Sequence, residues 1–456
     1  MQLQKWNSIV FVLLLGCSII GYLWVGYHIE RGDSLVLLSI LTVLSTSFLL
    51  LCRFSFSLRT IFIIGLFFRL LFLFALPELS QDFYRFLWDG NIQLLGINPY
   101  GATPNTLIGS VEFPLLEVFY NNMGGLSAMH YSSYPPFSQY LYQSVMYFNQ
   151  DSLITATVVL RIWILFFEFM LFTFGILILR MMQLPDKLIG WYFLNPLVII
   201  EVCGNLHGEG VMLALCLAGI YFIFRKQLFW GALFISLSIA SKLIPLLLLP
   251  ILFYYLGWKR FLIFTCLVLV FSLSLWLPFL ESNHLQHYLQ TVRLWFNTFE
   301  FNASSYYIVR EIGYKIKGYN IIRSLGKITP FLVMGTILCF SFLRNNKSNQ
   351  AVLKSMLLIL TVYFFMATTV HPWYVISLVV LGLFCGYLYP MIWGVTIFLS
   401  YAAYAEDNVK EIPLLIVLEY LPVYVCFFYE IFRKPLLYHF QKTNFLRSQS
   451  TPISTG

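Results

Sequence analysis

The chain has 456 residues, 59% of them apolar and 11% charged, with a formal net charge of +8. An ordinary soluble domain carries about 25% charged residues, so this chain cannot solvate a surface of its size; a soluble enzyme, a disordered protein and a secreted disulfide scaffold are excluded. The basic residues sit in short clusters between apolar blocks rather than in a stripe. That pattern reads as membrane topology and not as nucleic-acid binding. The eight Cys, at 17, 52, 203, 216, 266, 339, 385 and 426, show no CxxC spacing and read as small buried hydrophobes.

The first apolar block, Ser8 to Tyr27, is read as a signal anchor, although Leu14-Leu15-Gly16-Cys17 has the form of a bacterial lipoprotein cleavage box. Further blocks follow near 35–52, 60–77, 152–180, 187–202, 209–224, 228–241, 243–257, 261–280, 328–343, 352–369, 374–389, 391–405 and 412–432. A bilayer needs about 20 apolar residues per helical span. With the N-terminus inside, sixteen Lys and Arg fall in inner connections and nine in outer ones, the bias of the positive-inside rule. Six of those nine lie in one loop: Arg293, Arg310, Lys315, Lys317, Arg323 and Lys327.

These patterns predict an all-α, polytopic transmembrane bundle of about 12–14 spans, one domain over residues 1–456. Its long external loops, 78–151 and 281–329, carry short amphipathic interfacial helices, and 433–456 is a loose inner tail. Polar surface concentrates on the outer face, and function is expected there.

In the first long loop, Asp82-Phe83-Tyr84-Arg85-Phe86-Leu87-Trp88-Asp89-Gly90 follows a membrane exit. An amphipathic helix is predicted from Phe83 to Leu95, lying flat at the interface. Asp82, Arg85 and Asp89 fall at i, i+3 and i+7, on one face. Gly96-Ile97-Asn98-Pro99-Tyr100 reads as a turn, and Tyr134-Pro135-Pro136 opens a second amphipathic stretch from Phe137 to Phe148. Asp82 is either a helix cap or a general base anchored at the membrane surface. Arg85 pairs with a carboxylate in a simple interfacial salt bridge or serves the site.

Glu201 and His207 stand where one block ends and the next begins, a costly place for ionisable groups. Glu209 is read as a cap of the following helix. Lys242, in Ser241-Lys242-Leu243-Ile244-Pro245, either snorkels to ordinary headgroups or contacts a bound phosphate. His371, in His371-Pro372-Trp373-Tyr374, is a phosphate or sugar contact or a structural histidine. In 281–329, Phe299-Glu300-Phe301-Asn302-Ala303-Ser304-Ser305-Tyr306-Tyr307 suits a sugar surface. The basic residues there suit an anionic lipid or acceptor, and attraction to anionic headgroups accounts for them equally. Asn302-Ala303-Ser304 is also an N-glycosylation pattern.

The string D-F-Y-R-F-x-W-D-G at 82–90, with G-I-N-P-Y at 96–100 and Y-P-P-F at 134–137, resembles the first external loop of C-type (GT-C) integral membrane glycosyltransferases. The similarity is closest to polyprenol-phosphate-mannose-dependent mannosyltransferases, which include the GPI-anchor first mannosyltransferase and bacterial relatives. Asn195-Pro196-Leu197 with Glu201, Gly204-Asn205-x-His207 and His371-Pro372-Trp373-Tyr374 agree in order. The resemblance implies transfer of a sugar, mannose foremost, from a polyprenyl-phosphate donor with inversion at the anomeric carbon. The acceptor is a glycan, a lipid or a protein, with membrane lipids around the chain and no nucleic acid. It implies Asp82 as catalytic base and Asp89, Arg85, Tyr134, Glu201, His207 and His371 as substrate contacts, and Lys242 joins them from its expected place at the outer end of a tight hairpin. A divalent metal stays open: the GPI-type enzyme has two acidic residues one apart in this loop, whereas Asp82 and Asp89 are seven apart. The expected location is a bacterial inner membrane, with the site on its periplasmic side. A lipid-linked-sugar flippase and a lipid-binding structural subunit are the other readings.

Overall fold

The computed structural model describes residues 2–281, 283–405 and 409–437; the expected tail lies mostly outside them. Among the described residues the chain is helical with no strand, and Phe301 and Thr369 form one isolated β-bridge. Seven helices are long and apolar enough to cross a membrane: Ser8–Tyr27, Ser34–Leu51, Leu153–Met181, Trp258–Phe279, Ile322–Phe342, Asn349–Met366 and Pro413–Phe432. The bent pair Asp186–Phe193 and Pro196–Gly204, kinked by 54°, makes an eighth if it counts as one span.

The remaining apolar blocks are helical but short. Glu209–Phe224, Leu228–Ser241, Ile244–Leu256 and Pro372–Cys385 have 10–17 residues each. Residues near 60–77 form the helix Leu58–Leu70 followed by turns. Of the expected 12–14 spans, seven or eight are thus long, apolar helices, and other apolar blocks are shorter helices. Hydropathy counts apolar residues whether or not the chain turns among them, and Pro196, Pro245 and Pro250 break the local hydrogen-bond ladder.

The centre of the bundle is Glu209–Phe224, whose residues are almost all buried, against Leu153–Met181 and Leu228–Ser241. A helix apolar all round belongs in such a position. Gly219 and Gly231 let these helices approach, since a Cβ on either would collide with Ile235 or Ile223 at 2.7 Å. Arg69 and Glu168 form a buried ion pair at 2.7 Å, and Tyr192 donates to the other Glu168 oxygen at 2.6 Å.

The first long loop folds as a cap. Its helix Asp82–Leu94 buries nine of thirteen residues, including Arg85, Asp89 and Asn91. The helix is packed against Pro136–Phe148 and Leu116–Asn122. Its polar face is covered because Arg85, Asp89, Gln93 and Gln139 satisfy one another. Phe86 stacks on Tyr142 at 4.6 Å. Gly90 faces the Tyr142 carbonyl so closely that no Cβ fits there. The turn at 96–100 is present, with Gly96 at φ +75° and the Asn98 side chain accepting from Tyr100 N at 3.0 Å.

Candidate functional site

Three segments meet beneath this cap: the start of Asp82–Leu94, the connection 205–209 and the connection 367–371. Arg161 holds the first two in register. It is fully buried in Leu153–Met181 and donates to the carbonyls of Leu73 at 2.7 Å and Ala75 at 2.9 Å, and of Cys203 at 2.7 Å and Gly204 at 3.3 Å. Two chain ends that would present unpaired carbonyls inside the bundle are thereby satisfied. One leads to Asp82 and the other to His207.

Asp82 is the first residue of its helix, after the N-cap Gln81, whose side chain makes no cap hydrogen bond. No described hydrogen bond uses its carboxylate; its backbone N–H meets Ser80 Oγ at 3.3 Å. Burial raises its pKa above the usual carboxylate value, opposed by the positive charges of Lys242 and Arg31 and reinforced by Glu209. The same burial, with the Asp82 charge next in weight, raises the Tyr134 phenol well above normal. Asp82 is thus near Lys242, Arg31, Glu209 and Tyr134. Arg85 and Asp89, on the same helix, pair with each other at 2.7 Å, both buried, and their charges reach Tyr134 as that of Asp82 does. Arg85 also donates to the carbonyls of Ser127 and His130, and Gln139 donates to the second Asp89 oxygen at 3.1 Å. This pair ties the cap together.

Glu201 lies in a stretch of π-helix, Ile199–Gly204, a geometry frequent at functional sites. It accepts from the Tyr401 hydroxyl and, at 3.1 Å, from Asn205. His207 Nε2 lies 3.5 Å from the other end of the same contact set, Glu201 Oε2. Leu206 adopts φ +63°, an uncommon conformation for a large side chain, and so turns the chain into His207. The His207 ring stacks on Trp373 at 3.7 Å, Trp373 on His371 at 4.4 Å, and His371 on Phe301 at 4.9 Å. The β-bridge at Phe301 anchors that end, with Phe301 N donating to Thr368 O at 3.0 Å and Val370 N to Phe301 O at 2.9 Å.

Both histidines are neutral near pH 7. Burial, then Lys242, His371 and Arg31, hold His207 well below its ordinary pKa. Burial, then Arg31 and Lys242, lower His371 to about 3. Lys242 pairs with Glu209, which is fully buried, so Glu209 is an ion-pair partner and not the expected cap. Four buried polar atoms in this region have no hydrogen-bond partner: Arg31 Nε, His207 Nε2, His371 Nδ1 and Glu209 Oε2. Buried polar groups are normally satisfied, so this concentration makes the region the candidate for contact with a polar ligand. Among the described residues no group of three His, Cys, Asp or Glu is arranged to hold a metal ion.

Further along the same segments lies an apolar pocket. Met212 is three residues past Glu209, Ile244 two past Lys242 and Ser377 six past His371, and all three line it with Leu217, Leu248 and Leu360. Of the expected residues, the structure therefore brings together Asp82, Tyr134, Glu201, His207, Lys242 and His371, while Arg85 and Asp89 are paired with each other and belong to the electrostatic surroundings of Tyr134. Arg31, Glu209, Tyr401 and Tyr404 complete the region without having been singled out as site residues. The Arg31 guanidinium lies 3.4 Å over the Tyr404 ring. Its only signal in the sequence is an isolated basic residue in an outer connection. Asn302 of the glycosylation pattern is buried and bonded to Glu419 at 3.0 Å, so that pattern is not an accessible acceptor.

A family model described as alpha-(1→6)-mannopyranosyltransferase, N-terminal domain (MptA_B family), matches residues 12–257. No curated protein matches the chain. The matched span covers more than half of the sequence and includes Arg31, Asp82, Glu201, His207, Glu209 and Lys242. The chain belongs to the alpha-(1→6)-mannopyranosyltransferase family, and is a membrane mannosyltransferase.

Proposed function

We propose that the protein transfers mannose from a polyprenyl-phosphate donor to an acceptor hydroxyl with inversion at the anomeric carbon, at the outer face of the membrane. The reading is carried by two environments that follow one another along the same segments: buried unpartnered polar atoms on Arg31, His207 and His371, and an apolar pocket lined by residues two to six positions past Glu209, Lys242 and His371. A lipid phosphate has that division, an anionic head and an apolar tail. An inverting transfer that makes an α-linkage starts from a β-linked donor.

In this reading the acceptor oxygen attacks the anomeric carbon as the bond from that carbon to the phosphate oxygen breaks. The leaving polyprenyl phosphate keeps the electron pair, and Asp82 takes the acceptor proton. Asp82 suits the role because its carboxylate is not spent on hydrogen bonds, and its raised pKa favours accepting a proton. Lys242 and Arg31 stand where the phosphate charge grows, and preplaced charge in a dry site stabilises it strongly. Neutral His207 and His371 can each donate one hydrogen bond to phosphate or sugar oxygens. Tyr134 lines the acceptor side of Asp82, and Glu201 orients Asn205 and His207.

Purified protein in detergent, offered mannose as a polyprenyl phosphate, as a short-chain prenyl phosphate or as a nucleotide diphosphate, tests the donor. Transfer from the polyprenyl form, weakened in the short-chain form and absent with the nucleotide, is the expected outcome. Transfer from the nucleotide sugar alone would overturn the proposal.

A further inference from the structure

The site leaves the basic loop unused. Arg310, Lys315, Lys317, Arg323 and Lys327 oppose the charge bias of the outer connections and take no part in the polar region under the cap. The helix Ser305–Lys317 explains them. It packs Tyr306 and Gly313 inward, Gly313 against Ile321. On another flank, Ile308, Ile312 and Ile316 are 67%, 50% and 76% exposed. These positions, i, i+4 and i+8, make one stripe. Lys315 and Lys317 close the helix, Gly318 turns the chain with φ +76°, and Arg323 and Lys327 follow on the first turns of Ile322–Phe342, a helix apolar enough to cross a membrane. The four side chains are all exposed. Ile328, Phe331 and Leu332 of that span are 51%, 79% and 52% exposed, so the apolar stripe and the apolar flank of the span succeed each other along the chain.

We propose that Ser305–Lys317 is an interfacial helix that seats the Ile308, Ile312, Ile316 stripe in the bilayer surface, and that Lys315, Lys317, Arg323 and Lys327 select anionic lipid headgroups there. An amphipathic helix with basic residues at its border binds a membrane plane by buried apolar area together with attraction to anionic lipid. A stripe of three isoleucines in water would be an unfavourable surface; beside a membrane entry it is covered. The positive-inside bias is a rule of insertion, and a basic cluster on the outer side answers to a function after insertion.

The test uses the full chain in nanodiscs, with exposed Cys17, Cys266 and Cys339 changed to serine and Ile312→Cys carrying an environment-sensitive fluorophore. The discs are phosphatidylcholine alone or mixed with phosphatidylglycerol. The expected result is quenching by brominated lipid, loss of quenching by aqueous iodide, and a larger blue shift with phosphatidylglycerol. Changing the four basic residues to glutamine should remove that lipid-charge dependence. An Ile316→Cys label gives the same reading if the first variant fails to fold. Iodide quenching as strong as at a Ser110→Cys label, in both compositions, would overturn the proposal. A shift unaffected by phosphatidylglycerol but produced by soluble heparin would overturn it in favour of an acidic glycan.

Discussion

Lys242 and Glu209 form an ion pair in which Glu209 is fully buried and Lys242 keeps a fifth of its side-chain surface exposed. The lysine reaches outward from a carboxylate whose second oxygen has no partner. Removing the lysine alone strands a buried charge, which costs about 3–5 kcal/mol. Lys242→Ala should therefore lower both thermal stability and transfer, the latter by about a hundredfold. Adding Glu209→Gln should restore the melting midpoint and leave transfer low. Recovery of both in the double variant would mean that Lys242 serves packing only. Melting and kcat/KM on the same preparations decide it.

Arg85 and Asp89 behave as a strut. Asp89→Ala leaves Arg85 buried without its carboxylate, and the loss of stability should be about 3–5 kcal/mol. Asp89→Asn keeps the shape and the Gln139 contact on one oxygen, so it should retain more transfer than Asp82→Asn. A stable but inactive Asp89→Asn protein would place Asp89 among the substrate contacts.

His371 gives a pH dependence of stability. Its folded pKa is about 3, against about 6.5 in an unfolded chain. The folded state therefore refuses a proton that the unfolded state binds between those values. Stability contributed by this group is full above pH 6.5 and is lost as pH falls towards 3. His371→Gln, which cannot take up the proton, should flatten part of the decline in melting midpoint between pH 7 and pH 4. An unchanged slope would show that His371 is accessible to protons in the fold.

Orientation has its own check. Ser110 in the first long loop and Ser348 between Ile322–Phe342 and Asn349–Met366 are both exposed and are expected on opposite sides. In a background without native cysteines, a membrane-impermeant thiol reagent should label Ser110→Cys from outside in intact cells and Ser348→Cys only after lysis. Equal labelling of the two would contradict the proposed sidedness.

The helical class and the membrane setting were legible because apolar blocks and charge clusters follow directly from bilayer thickness and insertion energetics. The lengths of the individual helices were not, since Pro196, Pro245 and Pro250 break runs that hydropathy reads as continuous. Asp82, His207, Lys242 and His371 were legible as polar residues next to apolar blocks with no local reason to be there. The enclosure of Asp89 was not: a shared helical face gives angular position and says nothing of what packs on it, and Gln139, fifty residues on, covers Asp89. Arg31 was hidden for the same reason. Its neighbours Tyr404, His371 and Lys242 come from distant parts of the chain, and only the closed bundle brings them together.

The most direct measurement is transfer by Asp82→Asn protein, with donor binding and the pH profile followed alongside. General-base catalysis contributes about 10²–10⁴-fold, so kcat should fall by that factor while affinity for polyprenyl-phosphate mannose stays near that of the unaltered protein. In the unaltered protein, the rate should fall as pH drops through the Asp82 pKa. Burial has raised that pKa, so the limb should lie above the usual carboxylate range of about 3.9. Asparagine caps a helix as well as aspartate does, so a purely structural Asp82 predicts an active variant. Full transfer by Asp82→Asn, with the acidic limb unchanged, would contradict the assignment of the base.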